Sequence, residues 1–327
     1  MTDSTTETTE SDPTPEPSGG RGIAILQLMR LPTVFTSMAD VIAGYLLTTA
    51  WNPKAGLSQL TANPDKLTIG IVLVFASSCL YLAGMVFNDI FDRKVDAEER
   101  PGRPIPSGSV PLKMAIGLGL ALLVIGNGAA WFAGRNSGII AAILTVTILA
   151  YDGLLKKTPI GPLAMGACRF LNVIIGASHL TNWASIWTRP QLVVALGMGV
   201  YVIGLTWFAR TEAKQSKRWH LIGSMVFVTL GVGLLSSLAV TWSLAVSPRT
   251  IMYGLIVIVT FINYRLLAAV RDPQPFRVQA GVKTLILSIV TLDAAMVYFK
   301  TGSVQLAIAI LALLIPAMVL KRWIPMT

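Results

Sequence analysis

Apolar residues run in long stretches from about residue 23 to residue 321, and polar positions gather between them. Ten such runs can be marked, near 23–50, 67–91, 112–134, 137–156, 161–182, 190–210, 219–246, 249–270, 279–299 and 302–321. One helix needs roughly 20 apolar residues to cross a hydrocarbon core about 30 Å thick, and these runs are long enough. None shows the ten-residue alternation of a membrane barrel. In lipid the backbone must satisfy its own polar groups within each segment. The pattern therefore predicts an all-α, polytopic transmembrane helical bundle of nine to ten spans. The faintest boundary lies between the fourth and fifth runs, marked only by Lys156, Lys157 and Pro159.

Composition agrees with the pattern: 54% of the 327 residues are hydrophobic, 13% are charged, and the mean hydropathy is +0.66. The first twenty residues, MTDSTTETTESDPTPEPSGG, carry acids but no Lys or Arg and no apolar stretch, so they do not read as a signal peptide. They predict a disordered acidic tail over 1–20, with the transmembrane domain over 21–327. Cys79 and Cys168 fall inside apolar runs, where a thiol packs as a small hydrophobe; no disulfide framework or metal-binding cysteine pair is suggested.

The net charge of +10 is spread over short loops. With a cytoplasmic amino terminus and ten crossings, 18 of the 26 Lys and Arg fall on the cytoplasmic side and 6 on the other, with Arg169 and Arg265 inside spans. That asymmetry predicts an even number of crossings and an inside amino terminus. Contact with anionic lipid head groups accounts for the positive charge, and no nucleic-acid partner is called for.

The acids are distributed differently. Asp89, Asp92, Asp96, Glu98 and Glu99 crowd the end of the second run. At about 100° per residue, Asn88, Asp92, Asp96 and Asp89 share one helix face. Like charges so spaced repel, so a positive group should offset them. Carboxylate and amide oxygens suit a hard cation such as Mg²⁺, which binds through one or two carboxylates together with substrate phosphates. The Pro- and Gly-rich segment ERPGRPIPSGSVP follows, and its arginines carry forks that match phosphate oxygens.

The segment NDIFDRKVDAEERPGRPIPSG resembles the first aspartate-rich motif, N-D-x-x-D-x-x-x-D with an R-P-x-R-P loop, of the UbiA superfamily of intramembrane prenyltransferases. YDGLLKKTPIGP is similar to the family's tyrosine and lysine segment, and the likeness extends to the region of Arg30. The resemblance implies a helical bundle around a central cavity, an isoprenyl diphosphate ionised with Mg²⁺, and transfer of the prenyl group to an aromatic or other lipophilic acceptor. By position it implies that Asn88, Asp92 and Asp96 hold Mg²⁺ with Asp89 close by. Arg103 and Lys156 would stabilise the leaving diphosphate with help from Arg30, so that Asp92, Asp96 and Lys156 carry the catalysis. It also implies an integral protein of a bacterial inner membrane.

One departure stands out. Where the family has a second aspartate-rich motif, this chain reads TWFARTEAKQSKRWH, with Glu212 as the only acid and Ser216 four positions on. Lys214, Lys217 and Arg218 make this cap basic, so Glu212 and Lys214 become candidate phosphate-side contacts. The pattern is similar to an atypical bacterial branch encoded in ebo gene clusters. Two readings stay open: an active prenyltransferase, favoured by the first motif, and a non-catalytic protein that binds or moves a lipophilic metabolite, favoured by the altered second one. A secondary transporter would predict related halves, and no convincing internal repeat is present.

Asp40, Arg169, Asn172, Asn263, Arg265 and Asp293 lie within apolar runs, where charge normally faces a cavity or a partner. Arg265 with Asp293 is one conceivable pair. Arg169 and Asn172, one turn apart, are candidates to line the substrate cavity.

Overall fold

The computed structural model describes residues 20–52, 59, 62–212, 215–242 and 245–323. Most of the expected acidic tail and Lys214 therefore lie outside the described residues. The rest is helical, with no strand among the described residues. The principal helices are α1 (Arg21–Leu28), α2 (Val34–Thr48), α3 (Pro64–Glu99), α4 (Leu112–Ala133), α5 (Arg135–Ala150), α6 (Gly161–Ala177), α7 (Gln191–Ala209), α8 (Arg218–Ser236), α9 (Pro248–Arg271), α10 (Pro275–Thr301), α11 (Val304–Leu311) and α12 (Leu314–Trp323).

Nine segments among the described residues are long and apolar enough to cross a membrane, the first joining α1 to α2 and the last α11 to α12. The fifth run forms the shorter apolar helix α6, whose 17 residues sit at the lower limit for a span. The apolar pattern hides why it is short. The chain leaves α5 through a π-helical turn, Tyr151–Leu155, closed by Lys156 N–H on the Tyr151 carbonyl at 2.8 Å, and needs a further turn before Gly161.

Helix α6 is the centre of the bundle, packed against α2, α5 and α7. Its approach to α2 is set by two glycines: a Cβ at Gly176 would lie 2.2 Å from the Val41 carbonyl oxygen, and one at Gly44 would lie 2.0 Å from that of Val173. Small residues that let backbones touch are how helices associate where water supplies no driving force. Val124, Phe132 and Tyr264 point outward from α4 and α9, on surface that lipid would cover.

Helix α3 runs for 36 residues, or about 54 Å at 1.5 Å per residue. It exceeds the hydrocarbon thickness, so its last turns, with Asp92, Asp96, Glu98 and Glu99, project past the apolar layer. At the other end of the chain, α12 packs against α2 and the 3₁₀ turn Leu31–Thr33 that precedes it.

Candidate functional site

Asp89, Asp92 and Asp96 of α3 each meet a cation brought from elsewhere in the chain. Arg30 donates to Asp89 Oδ1 at 2.8 Å. It does so from a left-handed backbone conformation, φ 46°, at the break between α1 and the Leu31–Thr33 turn. Such a conformation costs a non-glycine residue on the order of 1–2 kcal/mol and persists where surrounding contacts over-determine it. Here the Arg30 carbonyl accepts from Thr33 N–H at 2.9 Å and from the Thr33 hydroxyl at 2.8 Å, while the side chain is held by Asp89.

Arg103 comes from the proline-rich segment after α3. That segment is a series of tight turns, with Arg103 N–H on the Arg100 carbonyl, Ser107 N–H on the Arg103 carbonyl and Val110 N–H on the Pro104 carbonyl. These turns fold Arg103 back under the helix, where it is buried and donates to Asp96 Oδ2 at 2.7 Å and to Asp89 Oδ1 at 3.4 Å. The arginine is fixed by backbone rather than left as a loose tether.

Lys156 arrives from the π-helical turn. Its ammonium donates to Asn88 Oδ1 at 2.5 Å and also to Asp92 Oδ2. The turn is pinned from α7, because Arg210 donates to the carbonyls of Lys156 and Thr158. π-Turns recur at functional sites, where the extra residue re-aims side chains.

Asp152, in the same turn, is buried, and its charged neighbours are Lys156, Asp92, Arg30 and Asp89. Sequence reasoning passes over it and over Arg210. For Asp152 the available signal is an acid four residues before a lysine, a spacing that brings side chains together on a helix. For Arg210 nothing in the sequence distinguishes it from other span-end arginines.

As the side chains stand, no three His, Cys, Asp or Glu groups among the described residues are spaced to hold a metal ion. Asp89 and Asp96 are turned toward Arg103, and the Lys156 ammonium fills the place between Asn88 and Asp92. The donor set nevertheless fits a hard divalent cation, since it is all oxygen and already closes around a positive charge at that position.

The cap between α7 and α8 differs in character. Burial raises the Glu212 carboxyl above its ordinary range, against the lowering pull of Arg100 and Arg30. Ser216 is taken up locally, its hydroxyl donating to the Thr211 carbonyl at 3.1 Å and its backbone N–H donating to the Pro273 carbonyl at 3.3 Å. Glu212 is thus brought to the arginine side of the site and Ser216 is not.

Arg169 and Asn172 are placed apart from this group. Arg169 pairs with Asp40, and Asn172 bonds Ser37, Asp40 and Ser77, about 18 Å along α3 from Asp89. The conceivable pairing of Arg265 with Asp293 does not form. Arg265 is exposed on α9, and the charged neighbours of Asp293 are Asp40 and Arg169. The rotation of α9 in the bundle, which hydropathy does not encode, decides this.

A family model described as the UbiA prenyltransferase family matches residues 45–218, more than half of the chain. Among curated proteins, the digeranylgeranylglyceryl phosphate synthase of Ignicoccus hospitalis is 28% identical over 189 residues, covering 58% of this chain and 57% of that protein. That of Methanosarcina barkeri is 34% identical over 162 residues, covering 47% and 53%. The chain thus spans little more than half the length of these relatives. In three dimensions it is similar to a structure of digeranylgeranylglyceryl phosphate synthase, with TM-score 0.62 and 20% identity over 86% of this chain and 99% of that one. It is also similar to a UbiA homologue from Archaeoglobus fulgidus bound to DMAPP and Mg²⁺, with TM-score 0.63 and 10% identity over 88% and 99%. At these identities the structural likeness is one of fold.

Proposed function

The chain belongs to the UbiA prenyltransferase family, and we propose that it is a Mg²⁺-dependent intramembrane prenyltransferase that takes an isoprenyl diphosphate and transfers its prenyl group to a lipophilic acceptor. One observation carries the reading: three cations from three separate segments, Arg30, Arg103 and Lys156, converge on the Asn88, Asp89, Asp92 and Asp96 face. A purely structural acidic helix end would be satisfied by solvent and local charge, without a buried arginine and a lysine delivered by a π-turn.

In this reading Asn88, Asp92 and Asp96, with Asp89 beside them, would hold Mg²⁺, which when bound offsets the charge that develops on the departing diphosphate. Arg103 and Arg30 orient the phosphates by their forked donors. Lys156 supplies a further fixed positive charge where the leaving group forms. Glu212 tempers the arginine side, and the cap sequence, with Lys214 and Lys217, adds positive charge that favours phosphate binding. Arg169 and Asn172 belong to the helix interior beneath the site and act on substrate only through the shape they impose.

The synthases similar to this chain are named for a lipid product, which supports a lipophilic acceptor. The basic cap supports placement in the atypical branch typified by ebo gene clusters, and with that bacterial branch goes a bacterial inner membrane; the charge asymmetry supports a site facing the cytoplasm. The non-catalytic alternative draws on the cap as well, since Glu212 leans toward arginines and Ser216 is occupied, leaving no second acidic pair. Incubating purified protein with labelled isoprenyl diphosphates and Mg²⁺, with and without membrane lipid extract, separates the two. Diphosphate release that needs Mg²⁺ and is abolished in Asp92→Ala is expected; binding without release would favour the non-catalytic protein.

A further inference from the structure

Midway along α2 and α6, charged side chains meet at a place separate from the α3 carboxylates. Asp40 on α2 and Asp293 on α10 have no exposed surface, and Arg169 and Asn172 on α6 are buried beside them. Asp40 Oδ2 accepts from Arg169 Nη1 at 2.8 Å and from Asn172 Nδ2 at 2.8 Å, which leaves Oδ1 without a donor. Asn172 is held in turn by the Ser37 carbonyl at 3.0 Å and by Ser77. Asp293 lies on α10, which packs against α2, and is an electrostatic neighbour of Asp40; neither of its oxygens meets a donor.

Charge counting shows what is missing. Two ionised carboxylates against one guanidinium leave an uncompensated negative charge in the hydrocarbon layer, where even a paired charge is costly. Tyr201 on α7 is a neighbour of Arg169, but its hydroxyl is already donated to the Leu285 carbonyl at 3.0 Å. Helix α3 contributes only Ser77 to the cluster. Zero accessible surface on Asp40 and Asp293 also means that no void of water size touches either carboxyl, so neither water nor a hydrated metal ion can supply the charge. A proton can.

We propose that Asp40 and Asp293 form an intramembrane binding site for a single proton, carried by Asp293 and donated to the open Oδ1 of Asp40. The site is then neutral: one carboxyl, one carboxylate and one guanidinium. The proton completes a chain from α6 through Arg169 to Asp40 on α2 and on to Asp293 on α10, so that three helices are tied by one bound ligand. The two carboxyls are not equivalent. Asp40 is the counter-ion of Arg169, and Asp293 is the proton carrier.

The test is infrared spectroscopy of the full-length protein in detergent, with isotope-labelled aspartate, in light and heavy water. The unmodified protein should show a protonated-carboxyl C=O band at neutral pH that shifts in heavy water. Asp293→Asn should lose the band while keeping the fold, because its amide still donates to Asp40. Asp40→Asn should lose it too, because Asp293 must then ionise to balance Arg169, and Arg169→Gln should roughly double it. Thermal stability of the unmodified protein should fall as pH rises above the ordinary aspartate range, since the folded state holds a proton that the unfolded state has released, and Asp293→Asn should show a smaller fall. An unmodified protein without the band, a band untouched by Asp293→Asn, or a band removed by added sodium would each overturn the proposal. The first and third need no variant, so a substitution that fails to fold leaves the question decidable.

Discussion

Lys156 lies against both Asn88 and Asp92, so any divalent cation drawn to those oxygens competes with its ammonium. Asp152, buried in the same turn and near Lys156 in charge, offers the displaced ammonium a second counter-ion. Lys156→Gln should therefore bind Mn²⁺ more tightly than the unmodified protein, because the resident cation is gone. It should also transfer prenyl groups about 10²-fold more slowly, because a fixed positive charge at the leaving group is gone. A Mn²⁺ titration followed by electron paramagnetic resonance, set beside initial rates, checks both halves. Equal loss of metal affinity and rate would instead make Lys156 part of the metal's own support. The residues in this competition were only partly legible in the sequence. Asn88, Asp89, Asp92 and Asp96 can be read because they share a helix face at fixed spacing, and Arg103 because it follows within one turn-rich segment. Their separate pairing with Arg30, Arg103 and Lys156, the part played by Asp152, and the Arg169–Asp40 bond depend on how distant helices rotate against one another, which no local spacing records.

At the scale of elements, the helices themselves were legible because lipid gives the backbone no other partner, and nine of the ten runs are segments long enough to span. The shortened fifth helix was not, because a π-turn leaves no trace in hydropathy. What fixes the elements against each other is close approach at small residues, and α2 with α6 shows it most directly. A methyl at Gly176 would meet the backbone carbonyl of Val41, which cannot swing aside as a side chain would. Gly176→Val should thus lower stability by at least the roughly 1–3 kcal/mol of ordinary overpacking, and it should disturb the Asn172 network one turn away on the same helix. Gly117 on α4 is the control. It is exposed and a Cβ there meets nothing within 4 Å, so Gly117→Ala should leave stability unchanged or raised by about 0.5–1 kcal/mol from helix propensity. Thermal unfolding in one detergent, read for both variants, makes the comparison, and a destabilised Gly117→Ala would show that α4 has a partner on its outer face.

For the whole molecule, the first and last described helices both reach the end of the bundle that carries the carboxylates. Arg30, just after α1, touches Asp89, and α12 returns to pack beside Leu31–Thr33. Two ends on one face require an even number of crossings. The described helices meet that number when α6, short as it is, counts as a crossing and α11 with α12 counts as one continuous span. The lysine and arginine distribution calls independently for the same arrangement, with 18 on the face that includes Arg21, Arg30 and Lys321 and 6 on the other. Short loops rich in Lys and Arg are retained in the cytoplasm. A reporter that works only in the cytoplasm, fused after Thr327, should therefore be active, and one that works only outside, inserted at Gly302 between α10 and α11, should also be active. If the carboxyl-terminal reporter proved to be outside, α11 and α12 would have to lie along the membrane surface or re-enter it. The packing of α12 beside Arg30 could not then be the arrangement in the bilayer, and the wall it forms next to the site would be supplied by lipid instead.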